Sequence, residues 1–357
     1  LGYGTLSANT EGHTNTAVGN NSLAANTTGG YNVAIGGNAL IANTTASYNV
    51  AVGKDSLLSN TTGYNNTALG TSSLAANTTG DRNVAIGQAA MSANTTGVQN
   101  TSVGYYSLDA NTTGNYNTAL GRDALGANTT ASNNTAVGHD ALGANTTGEQ
   151  CTAVGDIALN ANTTAIGGTA IGHNALGSVT TGVNNTSVGR NSGYAVATGT
   201  ENAYLGAYAG AANTGSYNVA IGSATLSVSG GGSYNSALGQ SALYSLTSGV
   251  GNTACGRAAL SALTTGGDNV AVGKEALRDS TTSSNNTAVG KSALQLNTTG
   301  ANNVAIGTNA LEDSTTSSSH VAVGYNALMN NTTANSNTAV GRDALRTTTT
   351  GQENTAI

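Results

Sequence analysis

The chain has 357 residues, of which 50 are glycine and none is proline, phenylalanine or tryptophan; 14 tyrosines are its only aromatic side chains. Ten basic residues against 16 acidic ones give a formal net charge of −6, which excludes the basic surface of a typical nucleic-acid-binding protein. No apolar run approaches the ~18 residues that a membrane-spanning helix needs. Because the apolar residues are mostly Ala, Val, Leu and Ile, any core must be thin.

A five-residue motif recurs every 17 residues along the chain and first appears complete as Asn15-Thr16-Ala17-Val18-Gly19. Its glycine stays in register at 21 positions, from Gly2 to Gly341, with a single 16-residue step between Gly206 and Gly222. A fixed short period over a whole chain predicts a solenoid or fibre rather than compact globular domains. A disordered chain would not keep Val, Ile and Leu in register.

We number the repeat so that the asparagine of the motif is position 1 and the glycine is position 5. Alternation around β-branched residues at positions 2 and 4 predicts a short strand with those side chains in the core, and the glycine then turns the chain. Ala-Leu or Ser-Leu at positions 8 and 9 predicts a second short strand, and Asn-Thr-Thr-Gly at positions 12–15 predicts a turn. Each repeat is therefore expected to form one coil without a helix.

Stacked coils align equivalent residues into columns. Position 9 is leucine in 18 of 21 repeats, with Met91, Gly193 and Gly210 as the exceptions, and position 1 is asparagine in 18 of 21, with Cys151, Gly168 and His320 as the exceptions. Stacked asparagines can hydrogen-bond side chain to side chain along the axis, as in cross-β ladders. The predicted structural ladder includes Asn32, Asn49, Asn66, Asn83, Asn100, Asn117 and Asn134. A second column at position 12 runs unbroken from Asn9 to Asn162.

The repeat divides the chain into three stretches. Residues 1–188 and 223–357 are regular, whereas residues 189–222 lose the position-9 leucine, the Asn-Thr-Thr turn and one residue. This irregular stretch also contains a tyrosine cluster, Tyr194, Tyr204 and Tyr208, which indicates either a repaired duplication junction or a binding patch. Because the chain begins and stops in phase with the repeat, we expect it to be an excerpt of a longer fibre.

Position 6 is predicted to be an outward corner that collects charge. It holds seven of the ten basic residues: Lys54, Arg122, Arg190, Arg257, Lys274, Lys291 and Arg342. Arg257, Lys274 and Lys291 lie on successive coils about 5 Å apart, a spacing that repels unless an anion is bound. They are candidates for binding phosphate or an acidic glycan, and the alternative is a solvated edge.

The sequence offers no catalytic constellation. His139, Asp156 and His173 fall at position 6 of three successive repeats and could face one ion, but three ligands without supporting groups do not predict a metal site. Cys151 and Cys255 lie about six coils, roughly 29 Å, apart, too far for a disulfide. Cys255 at position 4 is expected to fill a core position, and neither thiol has a neighbouring base. We therefore predict no enzyme activity, no metal and no cofactor.

Two families share features of this repeat. Asn-Val-Ala-Ile-Gly at residues 32–36, 83–87 and 303–307 resembles the Asn-Ser-Val-Ala-Ile-Gly signature of the head domains of YadA-type trimeric autotransporter adhesins. The longer unit at residues 66–80 resembles repeats of phage tail fibres that end in an endosialidase-type chaperone. The resemblance implies a left-handed parallel β-roll, three chains side by side, and attachment to a cell or matrix. Because the adhesin unit is commonly shorter than 17 residues, no ligand residue is carried over.

The expected protein is thus an all-β, left-handed parallel β-roll solenoid with one 17-residue coil per repeat, assembled as a homotrimeric fibre. We expect an extracellular attachment fibre of a bacterial surface or a phage virion that binds a cell-surface glycan or protein receptor. The alternatives are a structural spacer that positions a distal tip and a surface for a periodic ligand such as ice or a polysaccharide. The last is least favoured because threonine lies in the corners. Position 3, small and opposite in facing to positions 2 and 4, is the expected chain-to-chain contact.

Overall fold

The computed structural model describes residues 2–228 and 230–357. The chain forms two compact units, one up to Val183 and the other from Asn184 onward, so the irregular stretch 189–222 lies wholly inside the second unit. All regular secondary structure in the described residues is β-strand. None of these residues belongs to a helix of the length and apolarity needed to cross a membrane.

The first unit is a β-solenoid with one three-residue strand per coil, at positions 2–4 of the repeat. Its strands are β1 (Thr16–Val18), β2 (Val33–Ile35), β3 (Val50–Val52), β4 (Thr67–Leu69), β5 (Val84–Ile86), β6 (Thr101–Val103), β7 (Thr118–Leu120), β8 (Thr135–Val137), β9 (Thr152–Val154) and β10 (Thr169–Ile171). Consecutive strands of this unit pair in parallel, and residues 17 apart are partners, as Ala34 and Ala51 are.

The second unit repeats this arrangement. Its strands are β11 (Thr186–Val188), β12 (Ala203–Leu205), β13 (Val219–Ile221), β14 (Ser236–Leu238), β15 (Thr253–Cys255), β16 (Val270–Val272), β17 (Thr287–Val289), β18 (Val304–Ile306), β19 (Val321–Val323), β20 (Thr338–Val340) and β21 (Thr355–Ala356). Between β12 and β13 the partners are 16 residues apart, as Ala203 and Val219 are. The corner Asn213-Thr214-Gly215 has one residue fewer than the usual Asn-Thr-Thr-Gly, so the deletion falls in a turn and the strand register is kept.

The strands face the opposite way from the prediction. Alanine at position 3, predicted to be the outward contact, is completely buried, as in Ala34, Ala51 and Ala68. The residues at positions 2 and 4 point outward and are partly or fully exposed. Because the coils are thin, only a methyl group fits between the strand and the opposite wall. The larger side chains must therefore lie outside.

The opposite wall is formed by positions 8–12, where the leucine of position 9 is buried in every regular coil from Leu23 to Leu328 and half-buried at the two ends, Leu6 and Leu345. In the described part of the chain, the predicted second strand does not form. These residues form turns, because the leucine adopts a left-handed backbone conformation, with φ of 52° at Leu23 and at Leu40. Backbone hydrogen bonds still run from coil to coil, as from Leu23 N–H to the Ala39 carbonyl at 3.0 Å. Full burial of the leucine offsets a conformation that costs most residues roughly 1–2 kcal/mol.

The asparagines of position 1 form a buried column joined by two kinds of hydrogen bond. The predicted amide-to-amide bonds occur mainly in the second unit, as from Asn269 Nδ2 to Asn252 Oδ1 at 3.0 Å, and in the first unit from Asn100 Nδ2 to Asn83 Oδ1 at 3.2 Å. The more regular kind runs from backbone to side chain. The Oδ1 atom of Asn32 accepts the backbone N–H of Asn49 at 3.0 Å, and its Nδ2 donates to the Ala46 carbonyl in its own coil at 2.9 Å. Each side chain thus links one coil to the next and also closes the corner of its own coil. The same backbone-to-side-chain bonds join Asn49, Asn66, Asn83, Asn100, Asn117 and Asn134.

A continuous amide-to-amide ladder also lies at position 12 of the first unit. Asn43 Nδ2 donates to Asn26 Oδ1 at 2.9 Å, and Asn60 Nδ2 donates to Asn43 Oδ1 at 3.1 Å. The series continues to Asn162, whose Nδ2 donates to Asn145 Oδ1 at 2.9 Å. Since these amides are fully buried, their mutual bonds satisfy groups that would otherwise be costly to enclose.

Candidate functional site

An apolar surface runs along the strands of each unit. In the first unit its prominent members are the position-4 side chains of Leu69 and Leu120, which are 46% and 47% exposed. Further exposed members in that unit are Val18, Ile35 and Ile171. We call the outward side chains of positions 2 and 4 the strand face. Its residues are stacked in register by the parallel pairing, so the Val, Ile and Leu side chains of position 4 form a continuous apolar column, and the position-2 column beside it mixes threonine and valine.

The second unit has a strand face of its own. Leu205 and Leu238 are 49% and 48% exposed at position 4. Exposed valines at position 2 widen the surface: Val219, Val270 and Val321. Soluble monomers rarely expose contiguous apolar patches beyond a few hundred Å². Sequence reasoning assigned these side chains to the core; the near-invariant small residue at position 3 was the signal that could have corrected the assignment.

The predicted cation column is largely neutralised within the chain. Arg257 and Lys274 lie 3.0 and 3.6 Å from the same carboxylate oxygen of Glu275, Oε1. Partial burial by itself would raise the pKa of Glu275, but the hydrogen bond from Arg257 and the neighbouring charges of Lys274 and Arg257 outweigh it, and the net pKa lies below the ordinary value. Among the described residues, Lys291 has no ion-pair partner. The repulsion that suggested an external anion is thus relieved at two of the three cations.

The three tyrosines of the irregular stretch do not share one surface. Tyr194 is exposed, and Tyr208 is exposed with the guanidinium of Arg190 4.9 Å from its ring centroid. Tyr204 is only 1% exposed, and burial raises its pKa. Its hydroxyl donates to Asn213 Oδ1 at 3.2 Å. Tyr204 is therefore a core residue, and its assignment as a binding residue is wrong.

Tyr204 compensates for a missing leucine. It stands at position 3, where other coils have alanine or serine, and its ring packs against Gly210 at position 9 of the same coil. A Cβ atom on Gly210 would lie 2.6 Å from the ring, so tyrosine and leucine cannot both be present. In this coil the large core side chain is at position 3 and the small residue is at position 9, the reverse of a regular coil. This exchange keeps the core of the irregular coil filled.

The two cysteines are free thiols in different settings. Cys151 replaces asparagine in the position-1 column, where burial raises the pKa of its thiol. Its backbone N–H still donates to Asn134 Oδ1 at 2.9 Å. Cys255 is half-buried on the outward side of β15 rather than in the core, for the same reason that positions 2 and 4 face outward elsewhere.

The imidazoles predicted to face one ion lie in a line of carboxylates. His139 contacts Asp140 and Asp156, and Asp156 also contacts His173. The three-residue group whose ligand atoms come together is Asp123, His139 and Asp140, a combination that differs from the predicted one. Position 7, which supplies Asp123 and Asp140, was the part that sequence reasoning missed.

The chain matches no protein-family model and no curated protein sequence. The strand face, the position-1 column and the polar clusters are consequently interpreted from their own geometry.

Proposed function

We propose that this chain is part of a non-enzymatic attachment fibre, on a bacterial cell surface or a phage virion, that assembles as a homotrimer and contacts a cell-surface glycan or protein receptor. The observation that carries the proposal is the strand face. The sequence resemblance supplies the trimeric state, the left-handed winding and the attachment role.

Self-association is favoured because the strand face repeats with the coil. A second copy of the chain presents the same columns at the same spacing, so apolar side chains such as Leu69 and Leu120 would meet equivalent side chains along the whole contact. Burying apolar surface stabilises a protein by about 25 cal/mol per Å². Because the core of a single chain is thin, the apolar side chains of the strand face stay exposed in the monomer, and this stabilisation is gained only when chains associate. The largest side chains of each strand would then lie between chains.

A spacer role is the second candidate for this segment. It is favoured by the way candidate binding groups are satisfied internally: Glu275 neutralises Arg257 and Lys274, and Tyr204 is buried. A segment with few free recognition groups would hold a distal tip at a distance from the surface to which the fibre is anchored.

Sedimentation velocity tests the assembly. We expect the wild-type chain to sediment as a trimer and the double variant Leu69→Glu/Leu120→Glu to shift toward monomer, because four charged oxygens per chain would be buried at the contact. The control Thr79→Glu/Thr113→Glu adds the same charge at exposed turn positions and should remain trimeric. A monodisperse, folded wild-type monomer would refute the proposed assembly.

A binding assay distinguishes the attachment role from the spacer role. The labelled trimer is applied to an array of bacterial and animal glycans and to intact bacterial cells. Saturable binding supports a receptor-contacting segment, whereas a stable trimer that binds neither surface supports the spacer.

A further inference from the structure

Five side chains on one corner of the first unit form a continuous polar network. They come from positions 6 and 7 of four successive coils: Asp123, His139, Asp140, Asp156 and His173. His139 Nε2 lies 3.2 Å from Asp140 Oδ2, and His139 Nδ1 lies 3.0 Å from Asp156 Oδ1. His173 Nε2 lies 3.4 Å from Asp156 Oδ2. Carboxylates therefore face both ring nitrogens of His139.

The inner part of this network has the dimensions of a metal site. One ligand atom from each of Asp123, His139 and Asp140 lies within 4.8 Å of the other two. In a tetrahedral site with bonds of 2.0–2.1 Å, neighbouring ligand atoms are roughly 3.3 Å apart. The 3.2 Å separation of His139 Nε2 and Asp140 Oδ2 already has this value. The Asp123 side chain is half-buried on the adjacent coil, and a rotation of its carboxylate would bring the third ligand in.

Asp156 supplies the support that a ligating histidine needs. By accepting a hydrogen bond from His139 Nδ1, its carboxylate holds the proton on that nitrogen and leaves the lone pair of Nε2 directed toward Asp123 and Asp140. Carboxylate–histidine pairs of this kind orient the ring and raise its basicity in metal sites. The contact of His173 with the other Asp156 oxygen holds the carboxylate from its far side.

The local charge also favours a cation. Three carboxylates surround His139, and the nearby fixed positive charge is Arg122, whose Nε donates to Asp123 Oδ2 at 2.8 Å. That bond uses one oxygen and leaves Asp123 Oδ1 for an ion.

We propose that Asp123, His139 and Asp140 bind a divalent transition-metal ion of the zinc class, with Asp156 as the orienting carboxylate and water in the remaining coordination positions. An imidazole in the ligand set favours Zn²⁺, Co²⁺ or Ni²⁺ over Mg²⁺ and Ca²⁺, which prefer oxygen ligands throughout. Because Asp123 lies one coil before His139 and Asp140, the ion would join adjacent coils. The site is independent of the proposed attachment role.

Isothermal titration calorimetry with ZnCl₂ on the full chain tests the site. We expect one ion per chain in the wild type and loss of that binding in His139→Ala. Asp156→Asn removes no ligand, and we expect it to weaken binding by about 10–100-fold, the usual effect of losing an orienting partner. His13→Ala and Cys255→Ala are the controls, since they remove other accessible zinc-binding groups, and both should bind as the wild type does.

Each variant is first melted in EDTA, to establish that its fold is intact. Binding by His139→Ala with wild-type stoichiometry and affinity would overturn the site. Loss of binding in Cys255→Ala or His13→Ala would place the ion elsewhere and overturn it equally. Wild-type affinity in Asp156→Asn would overturn the orienting role.

Discussion

The Nδ1 atom of His320 accepts a hydrogen bond from the backbone N–H of Asn337 at 3.1 Å, and its Nε2 donates to the Ala334 carbonyl at 2.6 Å. Asn303, the regular asparagine one coil earlier, makes the equivalent two hydrogen bonds. Its Oδ1 accepts the N–H of His320 at 3.0 Å, and its Nδ2 donates to the Ser317 carbonyl at 2.9 Å. Neutral histidine thus reproduces the acceptor and donor of asparagine. The position-1 column continues through the substitution without a lost bond.

This arrangement makes stability depend on pH. Burial lowers the pKa of His320 below the ordinary value of about 6.5, against the smaller raising effect of its backbone hydrogen bonds. A proton on Nδ1 would also confront the Asn337 N–H. Above about pH 6.5 the ring is neutral in both folded and unfolded chains. As the pH falls below that value, only the unfolded chain gains a proton, so stability should fall by up to about 1.4 kcal/mol per pH unit until the folded pKa is reached.

Thermal melts at pH 7.5 and 5.5 measure this effect. We expect His320→Asn to melt like the wild type at pH 7.5 and to lose less stability at pH 5.5. The exposed-site variant His13→Asn is the control and should keep the wild-type pH dependence. An equal loss in the wild type and His320→Asn would mean that other groups cause the acid sensitivity.

Asn117→Ala should destabilise the first unit by ~1–3 kcal/mol. The substitution leaves the buried N–H of Asn134 without its acceptor, Asn117 Oδ1 at 3.1 Å. The Ala131 carbonyl loses the bond from Asn117 but keeps the one from Asn128. Lys54→Ala is the control: its side chain is 71% exposed, and the change should be near neutral. An unshifted thermal or urea transition for Asn117→Ala would exclude a structural role for this column.

The exchange between Tyr204 and Gly210 predicts a non-additive double mutant. Tyr204→Ala should cost roughly 3–5 kcal/mol through the cavity it leaves, and Gly210→Leu should cost ~1–3 kcal/mol or more by overpacking against the ring. The double variant restores the alanine and leucine of a regular coil, so it should be more stable than Tyr204→Ala alone. Urea unfolding of all four proteins gives the coupling energy, and simple additivity would contradict the assigned packing.

Substitution of a position-5 glycine should be far more destabilising than substitution of Gly37, which lies at position 6. Gly104 has φ of 143°, and a Cβ atom there would lie 2.4 Å from the Gly121 carbonyl oxygen of the next coil. Gly104→Ala is expected to cost ~2–4 kcal/mol, from backbone strain and displacement of the neighbouring coil. Gly37→Ala adds a methyl group with no atom within 4 Å and should be neutral or stabilising by ~0.4–1 kcal/mol. Equal melting temperatures for the two variants would contradict this packing.

The 17-residue period and the local chemistry of each repeat were sufficient to predict the coils, the strand at positions 2–4 and the turning glycine, but they also predicted a second strand at positions 8 and 9 that the structure replaces with turns. These features depend on interactions within one repeat or on its exact spacing. The glycine at position 5 has a backbone conformation that side chains rarely adopt, and β-branched residues favour the strand next to it. The sequence indicated only one ligand of the proposed zinc-class site, because His139 lies at position 6, whereas the other two ligands, Asp123 and Asp140, lie at position 7.

The tertiary structure decided which side chains of the strand point into the core. Alternation states that positions 2 and 4 oppose position 3, but Val18 and Ala17 are both apolar, so the pattern alone does not say which of them is inside. The distance between the two walls decides it, because leucine at position 9 fills the coil and leaves room only for a methyl group. The same distance explains Tyr204, which enters the core only where position 9 is Gly210. Sequence therefore determined the path of each coil, and packing between its walls determined which side chains are left for other molecules.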